Sequence, residues 1–202
     1  MKMSVVDGTI RKGRPRGTYA NTPHRRREIV VSATEVFAAH GYSGGSLRQV
    51  AKDIGVSVTS VTHHFPTKES LLEAVLEQAD LDAAHSIDLD AARDGLRGTV
   101  VRLAETGQDH PHLLRLLTVL SAEATAPDHP AHDWLIARYE RVEDEVTRWA
   151  IADPALALDS IHARSLARRI VAVWDGLQLR WLLHSDFDLV NELSDALAAM
   201  IE

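Results

Sequence analysis

Apolar residues recur along most of this chain at intervals of three and four, the spacing of one face of an α-helix. After Thr22-Pro23, a capping hydroxyl with proline in the first turn, Ile29, Ala33, Val36, Phe37 and His40 fall on one face, and Gly41 stops the run. Ser46 opens a second helix, with Gln49 three residues on as a capping box, Val50, Ala51 and Ile54 as its inner face, and Gly55 at its end. Ser57 caps a third, short helix that reaches His64 before Pro66 bars its continuation. Thr67 caps a fourth, with Leu71, Leu72, Val75, Leu76 and Ala79 as its buried stripe.

The remainder divides at its own turn signals. Helices are predicted from about Leu89 to Gln108, from Pro111 to about Ala124, from about His132 to Ile151, from about Ser160 to His184, and from Asp188 onward, with Pro127–Pro130 as a loop and Asp153-Pro154 as a break. No stretch alternates apolar and polar residues between turn signals, so no strand is expected. Leu135, Tyr139, Val142, Val146 and Trp149 form a heptad-like seam. Ile170–Leu183 is apolar nearly all round, with Leu166, Ile170, Val173, Leu177 and Trp181 on one stripe and Ala172 and Gly176 as a notch on another. One face of such a helix can pack on its own subunit and the other on a partner. Val142, Val146, Trp149, Ala172, Gly176, Leu179 and Leu183 are therefore the candidate homodimer contacts.

Charge sharpens this outline. The chain of 202 residues has a formal net charge of −7, but residues 1–68 carry 11 Lys and Arg against 4 Asp and Glu, a net of +7. Residues 69–202 carry 11 basic against 25 acidic side chains, a net of −14, and no lysine lies beyond Lys68. A basic N-terminal third on an acidic body points to a polyanion partner for that third alone. The first twenty or so residues, rich in Gly, Pro, Arg and Lys, are read as a disordered arm. With no cysteine, disulfides and thiolate metal sites are excluded. No apolar run is long enough for a membrane span, no secretory signal is recognised, and the expected location is the cytoplasm. His110, His112, His129 and His132 sit beside prolines in loops and are read as exposed side chains, so no metal is expected. No cofactor and no catalytic residue is expected either, since no phosphate loop or nucleophile motif is present.

The most informative stretch runs from Ser46 to Phe65. A helix-turn-helix needs a small residue where its helices cross (Ala51), a residue that tolerates a left-handed turn (Gly55) and an apolar anchor on its second helix (Val61). The outward residues Ser57, Thr59, Ser60, Thr62 and His63 are short and polar, as suits a helix entering the major groove. Around this frame stand Phe37-Ala-Ala-His-Gly-Tyr42, Val50-Ala-Lys-Asp-Ile-Gly-Val-Ser57, His64-Phe65 and Lys68-Glu-Ser-Leu-Leu72. With these pieces, residues 25–82 resemble the N-terminal domain of the tetracycline-repressor (TetR) family.

The resemblance implies an all-α protein in three parts. A basic arm (1–21) precedes a three-helix helix-turn-helix DNA-binding domain (22–66). A connecting helix then leads into a C-terminal helical ligand-binding and dimerisation domain (67–202). It implies that Ser46, Arg48, Ser57, Thr59, Ser60, Thr62, His63, His64 and Lys68 face DNA, with Lys68 reaching a phosphate and Val61 and Phe65 packing. Thr62 departs from the family's usual Tyr two residues before the His of the His-Phe pair, so one ring contact is lost. Leu103, Leu117, Leu120, Trp134, Arg138, Tyr139 and Trp174 are the candidate lining of an effector pocket, with Leu96, Val100, Leu116, Arg102 and Glu123 as further candidates. The expected partners are double-stranded operator DNA, an unidentified small molecule and a second copy of the chain.

The expected function is a repressor released from its operator by that small molecule. An activator or ligand-independent regulator of the same fold is the alternative within the class. A helical enzyme, a small-molecule carrier or a protein-interaction module are the alternatives outside it.

Lys12-Gly-Arg-Pro-Arg-Gly17 resembles an AT-hook core, in which Arg14 and Arg16 would enter a narrow, strongly negative minor groove. Replacing both arginines with Ala is expected to weaken DNA binding and to lower the slope of log K against log salt by up to about two units. Titrations at several salt concentrations check this, and an unchanged slope removes the arm from the interface.

Overall fold

The computed structural model describes residues 22–85 and 91–201, which form nine helices and, among the described residues, no strand. Arg14, Arg16 and the expected helix start at Leu89 lie outside the described residues. The helices are α1 (Thr22–Gly44), α2 (Leu47–Asp53), α3 (Val58–His64), α4 (Lys68–His85), α5 (Ala91–Gln108), α6 (Pro111–Glu123), α7 (His132–Ala152), α8 (Ser160–Leu183) and α9 (Leu189–Ile201). Among the described residues no helix is long and apolar enough to cross a membrane.

The caps explain most of the boundaries. Ser46 Oγ accepts the Gln49 amide and Ser57 Oγ accepts the Ser60 amide, each 3.2 Å away. The expected Gln49 capping box is only half made, because the Gln49 side chain turns to His40 Nε2 at 2.7 Å instead of reaching back to Ser46. A reciprocal box forms at α4: Ser70 N donates to Thr67 Oγ1 at 3.1 Å, and Thr67 N donates to Ser70 Oγ at 3.2 Å. Asp159 caps α8 through the amides of Ile161 and His162.

Two apolar clusters hold the chain together. The first joins α1, α2, α3 and α4, through Ile29, Phe37, Val50, Ala51, Val61, Phe65 and Leu71. Leu116 and Leu120 of α6 also belong to it, together with Ala131 and Leu135. The second joins α5, α7, α8 and α9, through Leu96, Val146, Ala150, Leu166, Ile170, Leu193 and Leu197. The helix-turn-helix head therefore does not close its core alone; α6 completes it.

The seam on α7 faces inward. Val146 is buried in the second cluster, with Val142 and Trp149 packed against it, so α5 and α8 of the same chain occupy the face expected to meet a partner. That removes Val146 from the candidate dimer contacts. Leu120, expected in an effector pocket, is likewise corrected: it is completely buried in the first cluster, against the head.

Where α6 meets the end of α1, Gly41 adopts φ 70 and ψ 172 and interrupts the helix. A Cβ built at this position would collide with the Glu123 carboxylate, which accepts the Tyr42 amide at 2.7 Å. Gly41→Ala is thus expected to destabilise the fold by more than the roughly 1–2 kcal/mol of a left-handed alanine. Denaturant unfolding measures it, and a loss below about 0.5 kcal/mol would show that the junction relaxes freely.

Candidate nucleic-acid interface and effector cleft

The head presents its polar row outward. Ser57, Thr59 and His63 are exposed, Ser60, Thr62 and His64 are half-buried, and Ser46 and Arg48 of α2 are exposed beside them. Gly55 takes φ +68 with open space around it, and Ala51, Val61 and Phe65 are buried, so the turn and anchors stand as expected. Two of the row's hydroxyls have local duties: Ser57 caps α3, and Thr62 Oγ1 donates to the Thr59 carbonyl at 3.3 Å. Val58, three residues before the anchor Val61, is 39% exposed in the first turn of α3. An apolar side chain there suits a thymine methyl. Sequence reasoning missed it because a spacing of three from a buried valine reads as the inner face.

Lys68 is held within the head. Its Nζ donates to the carbonyls of Ser43 at 3.3 Å and Gly45 at 3.0 Å, and lies 4.3 Å from the centre of the Tyr42 ring. An ammonium has three protons, so one remains for a phosphate. The Tyr42 hydroxyl donates to Glu69 Oε1 at 2.9 Å, and burial together with that carboxylate pushes its pKa up. These contacts tie the start of α4 to the end of α1.

In the body, Tyr139 is the centre of a polar strip between α6, α7 and α8. Its hydroxyl donates to Asp175 Oδ2 at 2.8 Å and lies 3.3 Å from Ser121 Oγ. The buried Gln178 donates to Thr118 Oγ1 at 2.8 Å. Burial raises the Asp175 pKa, with the Tyr139 hydrogen bond and the nearby Arg138 opposing the rise. Burial lowers the Arg138 pKa, against the pull of Asp80. Asp175, Gln178, Thr118 and Ser121 are functional candidates that the sequence pattern does not single out. Their only signal is polar residues recurring three apart on otherwise apolar helices.

A cleft of about 370 Å³ opens beside this strip, lined by Ser121, Ala124, Thr125, His132, Leu135, Ile136, Tyr139, Glu140 and Glu143. Of the seven pocket candidates only Tyr139 lines it. Trp134 packs on the first cluster with the Arg138 guanidinium 5.8 Å from its ring centre, Trp174 packs on the second, and Leu103 and Leu117 are half-buried.

The outer side of α8 is open. Ala172, Gly176, Leu179 and Leu183 are exposed, Leu183 by 74%, and a Cβ added at Gly176 would meet nothing within 4 Å. Ile161 continues this row at 77% exposure. Four of the seven candidate dimer contacts are therefore free on one helix face, while Val142, Val146 and Trp149 are engaged internally.

Residues 29–75 match the family model described as bacterial regulatory proteins, tetR family. The transcriptional repressor AcnR of Corynebacterium diphtheriae is 30% identical over 131 residues, which is 65% of this chain and 53% of that protein. The alignment thus spans only about half of that relative's length. The nicotine-responsive transcriptional repressor HdnoR of Paenarthrobacter nicotinovorans is 25% identical over 185 residues, covering 87% of this chain and 95% of that protein. A regulator from Saccharomonospora viridis solved in complex with choline superposes with a TM-score of 0.68 at 21% identity, covering 89% of this chain and 96% of that one.

Burial, with His63, Arg25 and Arg26 nearby, holds the His64 imidazole below its ordinary pKa. A duplex phosphate beside this face would raise it, so the complex would bind a proton that the free protein does not. Affinity for DNA is then expected to rise as pH falls through the window between the free and bound values, by up to about tenfold per pH unit crossed. Titration between about pH 7.5 and 5.5 should show a shallower dependence for His64→Gln; identical slopes would place His64 away from phosphate.

Proposed function

We propose that this chain is a homodimeric repressor of the tetR family of bacterial regulatory proteins, whose model its residues 29–75 match, and that a small molecule releases it from its operator. The observation that carries this reading is the double role of α6. Leu116 and Leu120 complete the core of the DNA-binding head, while Ser121 and Ala124 line the cleft in the body. A ligand that alters α6 alters the head. It can do so only by binding the DNA-competent and released forms with different affinity.

The two heads must span half-sites about 34–36 Å apart, which requires a dimer. The exposed apolar row Ile161, Leu179 and Leu183, with the open notch at Ala172 and Gly176, supports α8 as its centre. The names of related proteins support the ligand: one relative is nicotine-responsive and one structural neighbour was solved with choline.

The purified chain is expected to bind DNA from immediately upstream of its own gene more tightly than random DNA, with a steep salt dependence. Leu179→Glu combined with Leu183→Glu should convert the dimer to monomer in light scattering and abolish the specific component of binding. A monomeric wild-type chain, or wild-type binding erased by salt and indifferent to sequence, would overturn the proposal.

A further inference from the structure

The reading of the body as the effector-binding part leaves the effector's chemistry open, and the hydrogen-bond directions around the cleft narrow it. Its polar lining has spent its protons inward. Thr125 Oγ1 donates to the Ala122 carbonyl at 2.8 Å, and the Tyr139 hydroxyl donates to Asp175. With that proton committed, the 3.3 Å contact between Ser121 and Tyr139 is donated by Ser121. His132 Nδ1 lies 2.7 Å from the Ala124 carbonyl, which can only accept, so Nδ1 carries a proton and the neutral ring offers Nε2 as a lone pair. Glu140 and Glu143 add two carboxylates. Glu143 has Arg168 at 3.6 Å, while Glu140 is exposed and has no partner among the described residues.

The lining contains no lysine or arginine. It is a wall of acceptors above an apolar floor of Ala124, Leu135 and Ile136. An anion would meet two carboxylates, of which only Glu143 has a cation beside it, and a neutral acceptor would leave lone pairs facing lone pairs. We propose that this cleft takes a protonated primary or secondary amine, its N–H groups on the acceptors and its hydrocarbon part on the apolar floor. The amine must carry N–H bonds, because a fully methylated nitrogen satisfies the charge but none of the lone pairs. This inference rests on the ligand-released reading above, and its test is separate from DNA release.

Isothermal titration of the full chain at neutral pH would use four probes of one shape: 2-phenylethylamine, its N,N,N-trimethyl derivative, 2-phenylethanol and 3-phenylpropanoate. The amine is expected to bind about tenfold or more tighter than the alcohol, in keeping with charge-assisted hydrogen bonds, with the trimethyl compound weaker than the amine and the carboxylate weakest. Glu140→Gln, at an exposed position that should leave the melting temperature unchanged, is expected to weaken the amine about tenfold.

Equal binding of the alcohol or the carboxylate, failure of all four probes, or an amine affinity indifferent to Glu140→Gln would overturn the assignment. DNA release is then read on separate samples. Release by a compound of another class that does not need Glu140 overturns this proposal and leaves the repressor reading standing. Selective amine binding that leaves DNA binding unchanged supports the cleft and counts against release.

Discussion

The structure depends on the insertion of α6 into the core of the helix-turn-helix head. Leu116 and Leu120 are completely buried in the cluster that α1 shares with α2, α3 and α4, and α6 packs directly on α1. Each contributes on the order of 1.5–3 kcal/mol by leaving water. At the end of α6, the Glu123 carboxylate occupies the space that a side chain on Gly41 would need and accepts the Tyr42 amide. A three-helix head of this size would have a marginal core alone. Here the missing wall is supplied by the body, so head stability and body conformation are one quantity. Packed interiors shift between discrete arrangements and do not deform smoothly, which makes α6 a suitable element for passing a change at the cleft to the DNA-binding face.

The connecting helix is restrained at both ends. At its start, the reciprocal Thr67–Ser70 cap and the contacts of Lys68 and Glu69 with the end of α1 fix it to the head. Near its far end, Asp80 lies between Arg141 at 3.2 Å and Arg138 at 3.7 Å, both on α7. Asp80 and Arg141 are substantially exposed, so this fork adds little stability. It is a link between α4 and α7 near the far end of the connecting helix. Arg138 also feels Asp175, the carboxylate held by Tyr139. The polar strip beside the cleft and the restraint on α4 therefore share one guanidinium.

The helices are legible in the sequence, while some of their packing partners are not. Caps and glycines are local signals, so Ser46, Ser57 and Gly55 mark helix ends where they stand, while Gly41, expected to stop α1, marks a kink after which it runs on to Gly44. The helix-turn-helix frame is equally readable, since Ala51, Gly55 and Val61 are fixed by the crossing geometry of two adjacent helices. Periodicity, however, reports that a face is buried without naming what buries it. The α7 seam reads as a contact with a second subunit, yet α5 and α8 of its own chain cover it. Leu120 reads as a pocket residue, yet it belongs to the head. The cleft escapes for a related reason. Its character comes from the direction of hydroxyl protons at Ser121, Thr125 and Tyr139, which depends on acceptors supplied by other turns and helices.

The segregation of charge along the chain acquires a physical meaning in this arrangement. The basic third contains the helix-turn-helix, and the acidic remainder contains the cleft with Glu140 and Glu143. A body with a net charge of −14 is repelled by a duplex, so the +7 segment is the end that approaches it. The same field raises the local concentration of cations around the body. One charge distribution thus orients the polyanion toward the head and favours a small cation at the other end, while α6 links the two sites mechanically. An anionic effector would have to reach the cleft against that field, and a neutral one would gain nothing from it.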